Sequence, residues 1–336
     1  MWLFTLLPRF LFPSRQDPQS ASSLTPYRTS EHRNTKIYKG LIRTFCFARP
    51  FLILSCGENT LLGANSDEAI SKLCLLLPDV QRRGTSLHMK ISVLTVVFNR
   101  VDTIATAIQS VTNQKYLNVE HIVVDGASND GTLSVINANK SPDMLVFSEP
   151  DDGIYDALNK AITLSSGDVI GIVHSDDFFA HNQVLSKIAE CFTDPEIDAV
   201  YGDLDYISAS DTNRVVRHWK AGPFAPAKLK RGWMPPHPTL FIRRQVVECW
   251  GGYDVRYRIA ADYDAMLRYL VKGKIKLAYI PEVLVKMRVG GESNRSLERI
   301  LLKTREDLQA IRQNGVGGVG TLALKNLSKL PQFLKR

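Results

Sequence analysis

The chain has 336 residues, 44% hydrophobic and 23% charged, an ordinary composition for a globular protein with room for one large or two modest domains. No run reaches the ~18 uninterrupted apolar residues of a membrane-spanning helix, because the nearest candidates, 3–12 and 45–54, contain Pro and Arg. The net charge of +8 gathers at the two ends, with 11 basic against 6 acidic residues in 1–88 and 11 against 4 in 286–336; no zinc-finger spacing, aromatic RNA-binding signature or basic zipper accompanies it, so nucleic acid is not an expected partner.

Residues 1–88 scatter Pro, Ser and Arg and hold no sustained period of 3.6 or 2.0. Residues 1–12 lack a basic residue before the apolar run and a small-residue cleavage site, so a signal peptide is not expected. At Met89 the pattern turns abruptly into the apolar run Lys90-Ile-Ser-Val-Leu-Thr-Val-Val-Phe98. The expectation is that Met89 starts the natural product and that 1–88 is a poorly organised extension. Cys46, Cys56, Cys74, Cys191 and Cys249 form no CxxC pair, metal-ligand spacing or even framework, which favours a reducing, cytoplasmic compartment.

From Met89 the elements alternate. A strand over 91–98 precedes a helix on which Val101, Ile104, Ala105, Ile108 and Val111 recur at helical spacing. A strand over 119–124, a short helix from Thr132, a strand over 144–147, a helix over 154–164 and a strand over 169–173 continue the series. Strands separated by helices of this length imply an α/β fold with a mostly parallel sheet, whose ligands gather at the carboxyl ends of the strands.

Acids stand at those ends. The second strand runs into Asp125-Gly-Ala-Ser-Asn-Asp-Gly-Thr132, and the fourth into His174-Ser-Asp-Asp177. Asp130 or Ser128 would serve equally as a cap on the following helix, whereas Asp125 has no helix of its own to cap. Asp176 and Asp177 are adjacent like charges, unfavourable unless a cation or donors compensate them; a hard divalent ion such as Mg²⁺ or Mn²⁺ would do so while taking phosphate oxygens as further ligands. No Gly-x-Gly-x-x-Gly follows the first strand, where Thr95-Val-Val-Phe-Asn-Arg100 stands, and no Walker loop or Gly-x-Ser-x-Gly elbow occurs. Dehydrogenase, ATPase and serine-hydrolase readings weaken accordingly.

Five segments in order, Ile91–Asn99, Val123–Thr132, Ser148–Lys160, Gly167–Asp177 and Ala260–Arg268, resemble the inverting family 2 glycosyltransferases, particularly the small bacterial enzymes of exopolysaccharide, colanic-acid and O-antigen synthesis. The resemblance covers about residues 90–290. It implies a Rossmann-like GT-A domain over 89–290, with a nucleotide-sugar half at about 89–205 and an acceptor half at about 206–290. It further implies that Thr95 and Asp125 line the nucleobase pocket, that Asn99 joins the donor site, that Asp151 to Tyr155 approaches the nucleotide, that Asp176 lies beside the ribose and that Asp177 holds a divalent Mg or Mn. Asp262 matches the catalytic base, with Ala261 in place of the family's Glu. His237, within Trp233-Met-Pro-Pro-His-Pro, would contact the diphosphate or acceptor; as a residue of a Pro-shaped turn it needs no ligand. His174 is expected to pack beside the acidic loop. An N-cap accounts for Asp262 as well as catalysis does. Asp264 cannot share its helical face.

The implied partners are a nucleotide-sugar donor and a saccharide or lipid-linked acceptor. A helix is expected from 296 to 313, followed by a break over 315–320 and a basic tail over 291–336. There Leu324, Leu327, Leu330, Phe333 and Leu334 alternate with Lys325, Lys329, Lys335 and Arg336, a pattern suited to the inner face of the plasma membrane or to a solvated terminal helix. Two other readings compete. A nucleotidyltransferase would carry a Gly-rich basic loop after the first strand, and a non-catalytic relative would have lost Asp177 or Asp262.

Overall fold

The computed structural model describes residues 89–290 and 297–327. The expectations for 1–88, for Cys46, Cys56 and Cys74, and for the tail beyond 327 lie outside the described residues. Strands β1 (Ile91–Val97), β2 (Val119–Asp125), β3 (Met144–Ser148) and β4 (Val169–Ile172) form a parallel block in the order β3-β2-β1-β4. Every residue of β1 is buried, as expected of a strand covered on both faces. Helix α1 (Ile104–Thr112) and helix α2 (Thr132–Ala138) cover the β2 and β3 end, and α3 (Ile154–Leu164) packs on the opposite face, burying Tyr155, Ala157, Leu158 and Ala161.

The second half is mixed. After the two-residue strand β5 (Phe178–Phe179) and helix α4 (Val184–Cys191), β6 (Ala199–Ile207) pairs antiparallel with β7 (Val215–Trp219) and β8 (Phe241–Arg243). It runs parallel to the long β9 (Leu277–Arg288), which in turn pairs with β5. The complete order is β3-β2-β1-β4-β8-β6-β9-β5, with β7 on β6. Most of the paired length is parallel, as the sequence implies. Gly171 on β4 allows the closest approach across the sheet, since a Cβ there would stand 2.0 Å from the Phe241 ring.

Helices α5 (Arg244–Trp250) and α6 (Ala261–Leu267) follow β8, and a π-helical turn (Arg268–Lys272) leads into β9. Helix α7 (Leu297–Gln313) matches the expected terminal helix, but the break after it is shorter than expected, because α8 (Val319–Leu327) resumes before Gly320. Lys325, expected on an outward basic face, points inward. It is 2% exposed, its Nζ lies 2.8 Å from Asp307 Oδ1 and 3.2 Å from the Tyr263 ring centre, and its backbone presses on Gly232. Burial of Leu322 on the same helix supplies the apolar reason for docking.

Candidate active site

Two turns are stitched together where β1 and β2 end. Asp125 is fully buried, and its carboxylate accepts the Ser128 N–H at 3.2–3.3 Å and the Ser148 hydroxyl at 2.7 Å. Asn99, at φ +50°, donates its backbone N–H to Ser128 Oγ and accepts the Asn129 N–H through Oδ1 at 3.0 Å. The Asp130 carboxylate accepts the Thr132 and Val101 N–H groups, so this acid supports the start of α2 and the neighbouring turn. Asp151 leans over the same place, with its Oδ2 only 2.4 Å from where a Gly126 side chain would begin. A side chain at that position would push the Asp151 carboxylate aside.

Thr95 stands apart from this group. It is 0% exposed, and its hydroxyl donates to the Val173 carbonyl and pairs with His121 Nε2, both at 2.9 Å. A hydroxyl so engaged ties β1 to the strands on either side; it does not open on a ligand, contrary to the expectation that Thr95 lines a nucleobase pocket. His121 is held neutral, as burial lowers its pKa to about 3.

At the end of β4, His174 to Asp177 form a turn closed by the Asp177 N–H to the His174 carbonyl. Asp177 is 1% exposed and takes the Arg288 backbone N–H at 3.2 Å, while the Arg288 guanidinium donates to the Asp176 carbonyl. Burial and the adjacent Asp176 push the Asp177 carboxyl well above the ordinary range, with Arg288 pulling against them. Two hard oxygen donors that repel one another fit a divalent cation completed by ligand oxygens. No group of three or more His, Cys, Asp or Glu side chains that could hold a metal occurs among the described residues, so diphosphate or water would have to finish the shell.

Asp262 is the second residue of α6, and the capping alternative fails there. The cap position is Ala260, and no side chain of the helix caps it. Instead Glu306 of α7 accepts the N–H groups of Arg258, Ile259 and Ala260 at 2.8–2.9 Å. The Asp262 carboxylate is half-buried and meets the Tyr155 hydroxyl at 3.3 Å, while that hydroxyl donates more tightly to the Ile259 carbonyl at 2.6 Å. Burial, then Asp262, raise the Tyr155 pKa, so it stays a donor. Asp264, by contrast, is 3% exposed and occupied by Asn314 at 2.8 Å and Arg268, a packing role.

His237 completes the cluster. Its Nε2 lies 2.9 Å from the Tyr253 hydroxyl, and its ring is 5.8 Å from that of His174. Burial lowers its pKa to about 4, and that of His174 also falls, although Asp262 acts on both in the opposite sense. Both imidazoles near Asp262 are thus pushed toward the neutral form by burial. Asp176 acts on His174 as well, so one histidine feels both acidic groups. A cavity of about 30 Å³ beneath Asp262, His237 and Tyr253 is walled by Leu94, Ile162 and Met266. It is far smaller than the ~300 Å³ of a usual ligand pocket, so it does not itself hold a substrate.

The structure thus brings together Asp176, His237 and Asp262 around His174, with Tyr155 beside Asp262, and Asn99, Asp125 and Asp151 at the neighbouring strand ends. Sequence reasoning missed Tyr253, Arg288 and Glu306. Gly251-Gly252 before Tyr253 was a turn signal that could have marked the first, whereas nothing local distinguishes Glu306 from any helix-surface acid.

The model of the glycosyl transferase family 2 domain matches residues 92–250. An uncharacterized glycosyltransferase of Mycobacterium tuberculosis is 32% identical over 182 residues, 53% of this chain and 68% of the relative. A PGL/p-HBAD biosynthesis glycosyltransferase of Mycobacterium bovis is 28% identical over 217 residues, 63% of this chain and 82% of its own. Among solved structures, the mannosyltransferase PcManGT from Pyrobaculum calidifontis, in complex with GDP-Man and Mn²⁺, is similar with a TM-score of 0.52 at 17% identity, over 77% of this chain and 74% of that one. S. aureus TarS 1-349 in complex with UDP-GlcNAc gives 0.50 at 16% identity, over 73% and 79%. These two likenesses show the fold, which is the expected GT-A arrangement.

Proposed function

The chain belongs to glycosyl transferase family 2, and from that premise we propose that it transfers a sugar from a nucleotide-sugar donor to an acceptor hydroxyl with inversion. The observation that carries this reading is the freedom of Asp262: its helix start is served by Glu306, its neighbours are neutral, and His174 links it to Asp176. An inverting displacement needs a carboxylate opposite the leaving diphosphate to take the proton of the attacking hydroxyl. Asp262 does this, and Tyr155 and Tyr253 orient the groups beside it.

The donor lies over the β1, β2 and β4 ends. The Asn99 and Asp125 turns receive the nucleoside, Asp151 closes beside them, and Asp176 meets the ribose. Asp177, with Asp176, would hold the divalent Mg or Mn. When bound, that ion supplies positive charge against the departing diphosphate oxygens. PcManGT, with GDP-Man and Mn²⁺, supports this combination on the same fold. His237 stands on the acceptor side. A lipid-linked saccharide of surface polysaccharide synthesis is the acceptor we infer, used at the cytoplasmic face of the membrane; exposed Leu324 and Leu327 on α8 support contact with that surface. No described helix is long and apolar enough to cross a membrane.

The test is a screen of UDP-, GDP- and dTDP-sugars with Mn²⁺ or Mg²⁺ and a lipid-linked acceptor extract. Metal-dependent release of a nucleoside diphosphate, with the sugar recovered on acceptor in inverted configuration, is expected. Release of pyrophosphate from a nucleoside triphosphate and a sugar phosphate would favour nucleotidyl transfer instead.

A further inference from the structure

Helix α6 begins without a capping side chain, and the three peptide N–H groups leading into it all end on one carboxylate from another part of the chain. Glu306 Oε1 accepts Arg258 N–H at 2.9 Å, and Oε2 accepts those of Ile259 and Ala260 at 2.8 and 2.9 Å. Glu306 is 6% exposed. A buried carboxylate taking three N–H groups fixes three successive peptide planes, and charge-assisted bonds of this kind are about twice as strong as neutral ones. The same segment is held from the other side, where the Ile259 carbonyl takes the Tyr155 hydroxyl that also meets Asp262. Two residues after Ala260 stands Asp262.

We propose that Glu306 is a positioning residue for transfer: by clamping the 258–260 peptides it sets the start of α6 and, through it, the place of the Asp262 carboxylate over the cleft. This rests on the reading of Asp262 as the base. Glu306 itself lies behind the helix and takes no part in proton transfer. Helix α7 thereby becomes part of the active-site machinery although it lies beyond residues 92–250, the span of the family match.

The experiment is a double-mutant cycle of Glu306→Gln and Asp262→Asn in the full chain. It uses the nucleotide-sugar identified by the donor screen, with turnover read as nucleoside diphosphate release and binding read by calorimetry with that nucleoside diphosphate and Mn²⁺. Gln offers one acceptor oxygen and an NH₂ where three N–H groups converge, so the clamp loosens while the side-chain volume is kept. Glu306→Gln should lower kcat by roughly 10- to 100-fold, the usual consequence of misplacing a reacting group by about an ångström, with nucleotide affinity within about twofold of wild type. In the Asp262→Asn background the same change should lower kcat by less than about threefold, because a residue that acts through another loses its effect once that other is gone. Should Glu306→Gln fold poorly, Glu306→Asp, which keeps the charge and shortens the reach, takes its place in the cycle. Effects that multiply in the double variant, an unchanged kcat, or a loss confined to nucleotide affinity would each overturn the positioning role. Normal turnover by Asp262→Asn alone would overturn the base assignment and the positioning role together.

Discussion

Replacing Lys325 by Met removes a charge from one of the most enclosed ion pairs in the domain. Lys325 and Asp307 are each 2% exposed, their charged atoms are 2.8 Å apart, and the ammonium lies over the Tyr263 ring at 3.2 Å. Burial alone would raise the Asp307 carboxyl, yet Lys325 and Lys303 together hold it below its ordinary value. Removing one partner of a buried pair costs about 3–5 kcal/mol, because it leaves the other charge buried. Lys303 keeps its contact with Asp307 Oδ2 at 2.8 Å, so the lower end, about 3 kcal/mol, is expected. For a domain of this size each kcal/mol moves Tm by about 2–4 °C, which gives a fall of roughly 6–12 °C in a thermal melt. Adding Asp307→Leu to Lys325→Met should recover most of it, since an apolar replacement of both partners leaves neither charge stranded. A Tm within about 2 °C of wild type for Lys325→Met would refute the reasoning and return Lys325 to the outward basic face that the sequence alone suggests.

Three further outcomes follow from the same contacts. His121 and His237 have folded pKa values lowered to about 3 and about 4, so the unfolded chain binds their protons first; stability should be full above about pH 6.5 and fall as pH drops below it, by about 2 kcal/mol for each at pH 5, and denaturant melts across that range that stay flat would contradict it. For Glu120 burial opposes ionisation, but hydrogen bonds from Lys90, Ser92 and Ser166 outweigh it and hold the pKa at about 2; Glu120→Gln should therefore destabilise at pH 7, with the gap to wild type closing as pH falls from about 4.5 toward 2. Asp177→Ala should abolish transfer and metal-dependent nucleotide binding without unfolding the protein, because the like-charge contact with Asp176 that it relieves offsets the lost bond from the Arg288 N–H; retained metal dependence would remove Asp177 from the metal site.

The parallel half of the fold was legible because its signals are local. The mostly apolar β1, the apolar β4 and the helical period of 154–164 fix their elements without help from distant residues. The mixed half was not, because β6 to β9 pair over long separations, with a register shift at Gly202 and Asp203 that no periodicity announces. Acids at strand ends drew attention to Asp125, Asp176 and Asp177, since a buried strand that ends in carboxylates needs a reason. Thr95 misled for the opposite reason: on an apolar strand a hydroxyl reads as functional, and only His121 and the Val173 carbonyl reveal that it is spent internally. The choice between base and cap at Asp262 turned on Glu306, a residue whose relevance exists only once α7 has folded back onto α6.

Asp262→Asn tests the central claim most directly. A residue that accepts the acceptor's proton acts in the transition state and adds little to donor affinity, and Asp262 carries no capping duty whose loss could confuse the result. With the donor identified by the screen, the variant should bind nucleotide and metal as wild type does and lose turnover on the order of 10²–10⁴-fold. Near-normal turnover with intact binding would contradict the account and move the base to another group in the cleft.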